Sequence, residues 1–404
     1  MYKKNYFLIS FFTVLSIFSL VKLYDNAVNL DTFEYGEWLI NYQHSFVRRG
    51  ILGEIIYLFS ILFNNNLQIS FFIILSFICL FYYFLNFLLL KNIKLNFIFY
   101  FLIFSPLFYV FFIVISKVGV RKEIILYIFY ILYLLNLSSK NFSLNNNWKF
   151  IFIFPILLLN HEGTFFFLFY LILPLLFIVK KEDLKIMMQQ ILCLIIFSSI
   201  IMILLYFNKG NIEHVSSICL SLGNYAPEKC DWWGPIAALN KELMKNLNNE
   251  SMNFFYLSAN YKTWLGFLFY IFFSFTPLFL FLKFVKINHK NFIVKKKLFF
   301  VVYIVTFITS LPLFHIAEDW SRWFSIHFHL SVYLIFFLYR INLIQFEDNL
   351  FFSQINFYFI KKKFFLIFLL FLYATLFHHH HFFFKDVKLE VTYYKLFNKI
   401  KKNF

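Results

Sequence analysis

Residues 69–90 read ISFFIILSFICLFYYFLNFLLL, an apolar run that no charged side chain interrupts. A helix of about 20 residues crosses the hydrocarbon layer of a bilayer, so this run is long enough to span it. Its apolar residues are continuous and do not alternate with polar ones, which favours a helix over a barrel strand. The stretch therefore predicts an all-α membrane protein.

The rest of the chain has the composition that this stretch implies. Of its 404 residues, 61% are hydrophobic and 25% are aromatic, and the mean hydropathy is +0.73. A water-soluble fold of this length could not bury so much apolar surface, so we expect a lipid environment. The net charge of +17 lies in short lysine tracts between apolar runs. That pattern is typical of cytoplasmic loops and gives no reason to expect a nucleic-acid partner.

Eleven apolar runs predict a polytopic helical bundle of about eleven spans. The run 51–63 is set apart, because it is short, contains Glu54 and ends in three asparagines. We expect it to form a helix at the outer interface, since the lysine tracts then all face the cytoplasm together with the amino terminus. The predicted spans are 6–21, 69–90, 97–115, 124–137, 150–160, 164–179, 186–207, 263–284, 298–316, 324–340 and 364–378. They predict a single transmembrane domain over 1–378 with outer loops 24–66 and 208–262, followed by a basic tail, 379–404.

The first outer loop contains an arginine pair, Arg48 and Arg49, that is unusual on this side of a membrane. Guanidinium groups bind phosphate through two parallel hydrogen bonds, so the pair could hold a phosphate or diphosphate. The alternatives are contacts with lipid phosphates or an ion pair with Glu54. The same loop carries carboxylates that could act as a general base or could simply be solvated: Asp25, Asp31, Glu34 and Glu37.

Further polar residues fall on the same predicted face. His161 and Glu162 occupy a short turn between two apolar runs, and Arg121 begins another run. Asp319 and Arg322 lie three residues apart, a spacing that also permits an ordinary salt bridge within a helix. We expect Arg322 and Arg121 to bind phosphate, with His44, His161, Glu162 and Asp319 in supporting positions.

Cys219 and Cys230 lie in the long outer loop, in a predicted oxidising compartment, and could form a disulfide. The sequence lacks a C-x-x-C or H-E-x-x-H motif, so it predicts no metal site. No cofactor is required by this reading, although a divalent metal could take part.

The acidic first loop, the interfacial helix and about ten further spans together resemble the GT-C superfamily of integral-membrane glycosyltransferases. The segments HSFVRRGILGE (44–54) and DWSRW (319–323) also resemble parts of bacterial membrane proteins of surface-polysaccharide gene clusters. Oligosaccharide polymerases and O-antigen ligases are similar in using outer-face arginines on the diphosphate of a lipid carrier. The chain lacks the D-D or D-x-D pair of the GT-C pattern, so the resemblance leaves the base unassigned.

These features predict a glycosyltransferase at the periplasmic face of a bacterial inner membrane. It would transfer sugar from a polyprenyl phosphate or diphosphate to a glycan acceptor, with membrane lipids around it. Asp31 or Glu34 would be the first choice as base. The alternatives are a transporter or flippase of lipid-linked sugars and a non-catalytic scaffold. Transport sites usually lie near the bilayer midplane, whereas the charges here concentrate at one face, which favours the enzyme.

Overall fold

The computed structural model describes residues 6–30, 33–110, 120–139, 142–227, 230–231, 234–240, 261–287, 293–316, 320–346, 354 and 361–376. Within these ranges the regular secondary structure is helical apart from one antiparallel pair of strands, β1 (Val285–Ile287) and β2 (Ile344–Phe346). The prediction of an all-α fold is confirmed. Asp31 and Asp319 lie outside the described residues, as does the tail 379–404.

The described α-helices follow in chain order: α1 Tyr6–Val28, α2 Phe33–Trp38, α3 Ile51–Leu62, α4 Leu67–Leu90, α5 Phe97–Ile103, α6 Glu123–Leu137, α7 Trp148–Leu158, α8 Ile172–Ile178, α9 Leu184–Phe207, α10 Ile212–Leu222, α11 Tyr261–Phe284, α12 Ile293–Ile316, α13 Trp320–Arg340 and α14 Lys363–Leu376. Short 3-10 helices add Leu144–Asn147, Glu162–Leu171, Lys181–Asp183, Gly223–Tyr225 and Ala237–Asn240.

Four of these helices are long and apolar enough to cross a membrane: α1, α4, α9 and residues 265–284 of α11. They support a membrane protein by length and composition. The other predicted spans correspond to shorter or interrupted helices, or to α12 and α13, which have 24 and 21 residues but are not among these four. The count of eleven therefore stays a prediction. Within 97–115, for example, α5 ends at Ile103 and a π-turn follows over Pro106–Val110, where Phe108 has a non-helical backbone.

The chain forms two compact units, one of residues 1–91, 119–246 and 293–310, the other of 92–118, 247–292 and 311–404. In the first unit, α1 packs along α4, where Ser19 Oγ and Tyr83 OH share a buried 2.7 Å hydrogen bond. In the second, α13 is buried over most of its length, and Ser325 Oγ donates to the Leu107 carbonyl at 2.8 Å.

Helix α3 has the features predicted for an interfacial helix. Its 12 residues extend only about 18 Å, which is too short to cross the hydrocarbon layer. Ile55, Leu58 and Leu62 are exposed along it, whereas Ile56 is fully buried. An apolar face that no described residue covers suits a helix that lies on a membrane.

Candidate functional site

The arginine pair that precedes α3 binds the carboxylate of Glu162. Arg49 Nε lies 2.8 Å from Glu162 Oε2, and Arg49 Nη2 lies 2.5 Å from Oε1, in a two-pronged arrangement. Arg48 Nη1 adds one longer contact of 3.3 Å to Oε1, and its Nη2 donates to the Ala238 carbonyl at 3.1 Å. Two guanidinium groups on one carboxylate leave this group with an excess positive charge.

Lys122 supports the backbone of Arg49 from the interior. Its Nζ donates to the Arg49 carbonyl at 2.6 Å, and the lysine is only 1% exposed. Arg49 has a φ of +67°, a left-handed conformation that is unfavourable for a residue with a side chain. The buried lysine therefore helps to hold a strained residue in the position where its side chain meets Glu162.

A second ion pair lies beside this group. Glu37, from the short helix α2, accepts a 3.0 Å hydrogen bond from Arg121 Nε, and both side chains are buried. The Arg121 guanidinium also lies over the Phe33 ring, 5.2 Å from its centroid. The Trp38 indole donates to the Val120 carbonyl at 2.8 Å, which ties α2 to the backbone before Arg121.

His161 faces two carboxylates of this cluster. Its Nε2 lies 3.9 Å from Glu37 Oε1 and 3.7 Å from Glu123 Oε1. Its Nδ1 accepts a 3.0 Å hydrogen bond from the Gly163 amide, so in the neutral ring Nε2 carries the proton. This geometry turns Nε2 of His161 towards the two carboxylates at distances longer than a hydrogen bond. No described group of three or more His, Cys, Asp or Glu has metal-site geometry.

Burial and charge together set the protonation of the cluster. Burial would raise the pKa of Glu162, but Arg49 and then Arg48 outweigh it and hold that pKa well below its usual range. Burial would likewise lower the pKa of Arg49, but Glu162 raises it. Burial lowers the pKa of Lys122 to about 7. Burial raises the pKa of Glu34, with Arg121 opposing the shift.

The loop that presents the arginines is fixed from both sides. Glu54 of α3 accepts from the Tyr42 amide at 2.8 Å and from Gln43 Nε2 at 2.9 Å. The Arg48 amide donates to the Asn208 carbonyl at 3.0 Å. The predicted alternative of an ion pair between the arginines and Glu54 does not form, because Glu54 instead binds the loop.

The cluster is accessible at one end only. The side chains of Arg48, Arg49 and Glu162 are 16%, 23% and 18% exposed, respectively. The other charged members are buried, namely Glu34, Glu37, Arg121, Lys122 and Glu123. A ligand can therefore reach the arginine pair, while the buried groups determine the charge and position of that pair.

The structure thus brings together seven of the predicted site residues: Glu34, Glu37, Arg48, Arg49, Arg121, His161 and Glu162. Asp25 is exposed near the end of α1 and accepts a hydrogen bond from Asn29. His44 lies against His214 and is not a member of the ion pairs described above. Arg322 belongs to the second unit, where it is buried with its guanidinium over Trp323. Cys219 and Cys230 form a disulfide.

The sequence groups Lys122 and Glu123 with Arg121 as a possible phosphate contact, and Asn160 with His161, but gives these three residues no role of their own. Asn160 Nδ2 donates to the Lys122 carbonyl at 3.3 Å, so it joins the turn that follows α7 to the start of α6. The available signal was their position, because each borders an apolar run and is adjacent to a selected residue. No family model, curated protein or solved structure matches the chain.

Proposed function

We propose that the protein is a membrane glycosyltransferase that binds the phosphate or diphosphate of a lipid-linked sugar on Arg48 and Arg49. The observation that carries this proposal is the Arg48–Glu162–Arg49 group, which is positively charged and forms the accessible end of a buried ion cluster. Arg48 Nε is buried and has no hydrogen-bond partner among the described residues, so Glu162 does not use every donor of the pair.

A phosphate has the chemistry to compete with Glu162 for these donors. The carboxylate already uses the planar, two-pronged geometry that guanidinium groups also offer to phosphate. A diphosphate carries more charge than one carboxylate, so it can share or replace the Glu162 contacts. When the sugar is transferred, the lipid phosphate leaves with negative charge that the arginines are already placed to stabilise.

Glu34 is the proposed general base. Burial raises its pKa, which moves a carboxyl group towards the range where it exchanges protons near neutral pH. Its Oε1 is buried without a hydrogen-bond partner among the described residues. Glu37 is less suitable because Arg121 holds it in an ion pair. Because Glu34 is buried, the proposed step requires the acceptor hydroxyl to enter beyond the arginine pair. Glu34 then takes its proton, the acceptor oxygen bonds to the anomeric carbon of the sugar, and the bond between that carbon and the phosphate oxygen breaks.

Helix α3 gives a route for the lipid. Arg48 and Arg49 immediately precede its first turn, and its exposed face carries Ile55 and Leu58. A polyprenyl chain could lie along this apolar face while its phosphate reaches the arginines. We place α3 and the arginines at the periplasmic surface of an inner membrane, with the amino terminus in the cytoplasm. That orientation rests on the lysine tracts.

The test is turnover by the purified protein with a polyprenyl-diphosphate-linked oligosaccharide and a glycan acceptor, measured as release of polyprenyl diphosphate. We expect Arg49→Gln to lower kcat/KM by about 100-fold or more, since it removes a donor to the leaving group. Glu34→Gln removes the proposed base, so the rate should no longer fall as the pH is lowered through the pKa of that carboxyl group. Arg340→Gln, at the end of α13 in the second unit, is the matched control and should leave the rate unchanged.

Two results would reject the proposal. Wild-type protein that turns over no lipid-linked donor, while moving such a lipid across proteoliposomes, would identify a transporter. Turnover that Arg49→Gln leaves intact in a folded variant would remove the arginine pair from the reaction.

A further inference from the structure

Three polar side chains outside the ion cluster form a continuous hydrogen-bonded series. Ser45 Oγ lies 2.6 Å from His214 Nε2, and His214 Nδ1 lies 2.6 Å from Asn211 Oδ1. Ser45 comes from the first loop, whereas Asn211 and His214 come from the start of α10, so the three meet only in the folded chain. A hydroxyl, an imidazole and an orienting oxygen in this order are the components of an activated nucleophile.

The hydrogen bonds define the tautomer of His214. Asn211 is the residue before α10, and its Oδ1 also accepts from the His214 backbone N–H at 2.9 Å. That second bond requires an oxygen at this position, which settles the orientation of the amide. Since Oδ1 is an acceptor, His214 Nδ1 must donate, and Nε2 is left with the lone pair that faces Ser45. The serine hydroxyl therefore donates to a basic nitrogen.

The three residues lie at the surface, next to a glycine that the local packing requires. Asn211 follows Gly210, which has a φ of +99° and where an added Cβ would lie 3.0 Å from Leu239 and 3.1 Å from Val47. The far end of α10 is held by the Cys219–Cys230 disulfide. Ser45 and Asn211 are exposed. Phe46 and Ile212, the residues that follow them in the chain, are exposed as well and offer an apolar surface next to the hydroxyl.

We propose that Ser45 is the nucleophile of an acyl-transfer site that accepts carboxylic esters. Ser45 Oγ attacks the ester carbonyl and gives its proton to His214 Nε2. The bond to the alcohol oxygen then breaks, and that oxygen takes the proton from His214. Water or a second hydroxyl, deprotonated by the same nitrogen, attacks the acyl-serine and releases the acid or a new ester with Ser45 restored. Asn211 is a positioning residue that keeps His214 in the required tautomer.

The surroundings of His214 suit a base at neutral pH. Burial lowers its pKa, the neighbouring His44 lowers it further, and Glu213 partly opposes both. The two imidazole rings meet edge to face with centroids 4.7 Å apart. His44 itself contacts Ser217, where Oγ and Nδ1 lie 3.4 Å apart, beyond the length of a good hydroxyl hydrogen bond. Ser217 therefore provides a nearby serine–histidine pair without the activating geometry.

The decisive experiment treats the purified protein with a fluorophosphonate probe, which labels activated serines, and locates the adduct by mass spectrometry. We expect Ser45 to be labelled and p-nitrophenyl acetate to be hydrolysed. His214→Gln should slow both by about 100-fold or more, the usual contribution of a general base. Asn211→Ser retains a residue that can cap α10 but cannot hold Nδ1, so it should slow labelling without a large loss of stability.

Ser217→Ala is the matched control and should leave labelling unchanged. Unlabelled wild-type protein would overturn the proposal, as would an adduct on a serine other than Ser45. Equal labelling of His214→Gln and wild type would show that the Ser45–His214 contact only joins the loop to α10 and does not activate the serine. Because the adduct is located on the wild-type protein, the test does not require a folded variant of Ser45.

Discussion

The Arg48–Glu162–Arg49 group predicts that Glu162 is coupled much more strongly to Arg49 than to Arg48. Arg49 makes three nitrogen–oxygen contacts of 2.5, 2.8 and 3.0 Å, whereas Arg48 makes one of 3.3 Å. Hydrogen bonds to charged groups contribute about 1.5–3 kcal/mol, and these side chains are 16–23% exposed. We therefore expect a coupling energy of about 2–3 kcal/mol for Arg49 and about 0.5–1 kcal/mol for Arg48.

Two double-mutant cycles measure these energies, one with Arg49→Gln and Glu162→Gln and one with Arg48→Gln and Glu162→Gln. Denaturant unfolding in detergent gives the free energy of unfolding for each variant. Glu162→Gln alone should be the most destabilising single change, by about 3 kcal/mol, because it leaves two guanidinium groups uncompensated. Equal coupling in the two cycles, or additivity in both within about 0.5 kcal/mol, would refute the assigned geometry.

Three further predictions concern Lys122, Gly53 and the disulfide. Burial lowers the pKa of Lys122 to about 7 from 10.5, so the unfolded chain binds more protons between these values and stability rises with pH. Lys122→Met should remove up to about 1.4 kcal/mol per pH unit of that rise, measured against wild type across the interval. Gly53→Ala should lower the free energy of unfolding by about 3 kcal/mol or more, measured by thermal unfolding, since its Cβ would overlap the Ile40 carbonyl. Gly36→Ala is the control and should lower it less, because its Cβ would meet only proline side-chain atoms at 3.2 Å. Replacing Cys219 and Cys230 by serine should lower the free energy of unfolding by about 3 kcal/mol, because the bond joins residues 11 apart; an unchanged denaturation midpoint would contradict this.

The formation of long apolar helices was predictable from the sequence, because it depends on local composition. The runs at 69–90 and 186–207 contain more than enough apolar residues for a span, and both form single long helices. Interruptions were harder to predict, because they depend on a few residues whose effect is tertiary. Pro155 lies inside α7 without ending it, whereas Pro106 begins a π-turn. A proline alone does not distinguish these outcomes.

The grouping of the site was predictable to the extent that topology controls it. Charged residues that border apolar runs are brought to one end of a bundle, so Arg49, Arg121 and Glu162 could be grouped without knowing their contacts. The carboxylate that pairs with the arginines could not be predicted, because Glu54 is closer to them in sequence than Glu162 and has the same charge. Its carboxylate instead binds the Tyr42 amide, a choice set by the path of the loop. The contact of Ser45 with His214 had no sequence signal, since 169 residues separate them.

The loop at residues 41–49 connects the two proposed sites. It carries Ser45 on its exposed part and Arg48 and Arg49 at its end, and it is held by Glu54 on one side and the Asn208 carbonyl on the other. The arginine side chains are fixed further by Glu162, whereas Ser45 is hydrogen-bonded to His214 at the start of α10. Loosening the Glu54 contact should therefore disturb both sites, while removing Glu162 should disturb the phosphate site alone. Substitutions at Glu54 and Glu162 should therefore distinguish the phosphate site from the proposed acyl-transfer site on the same loop.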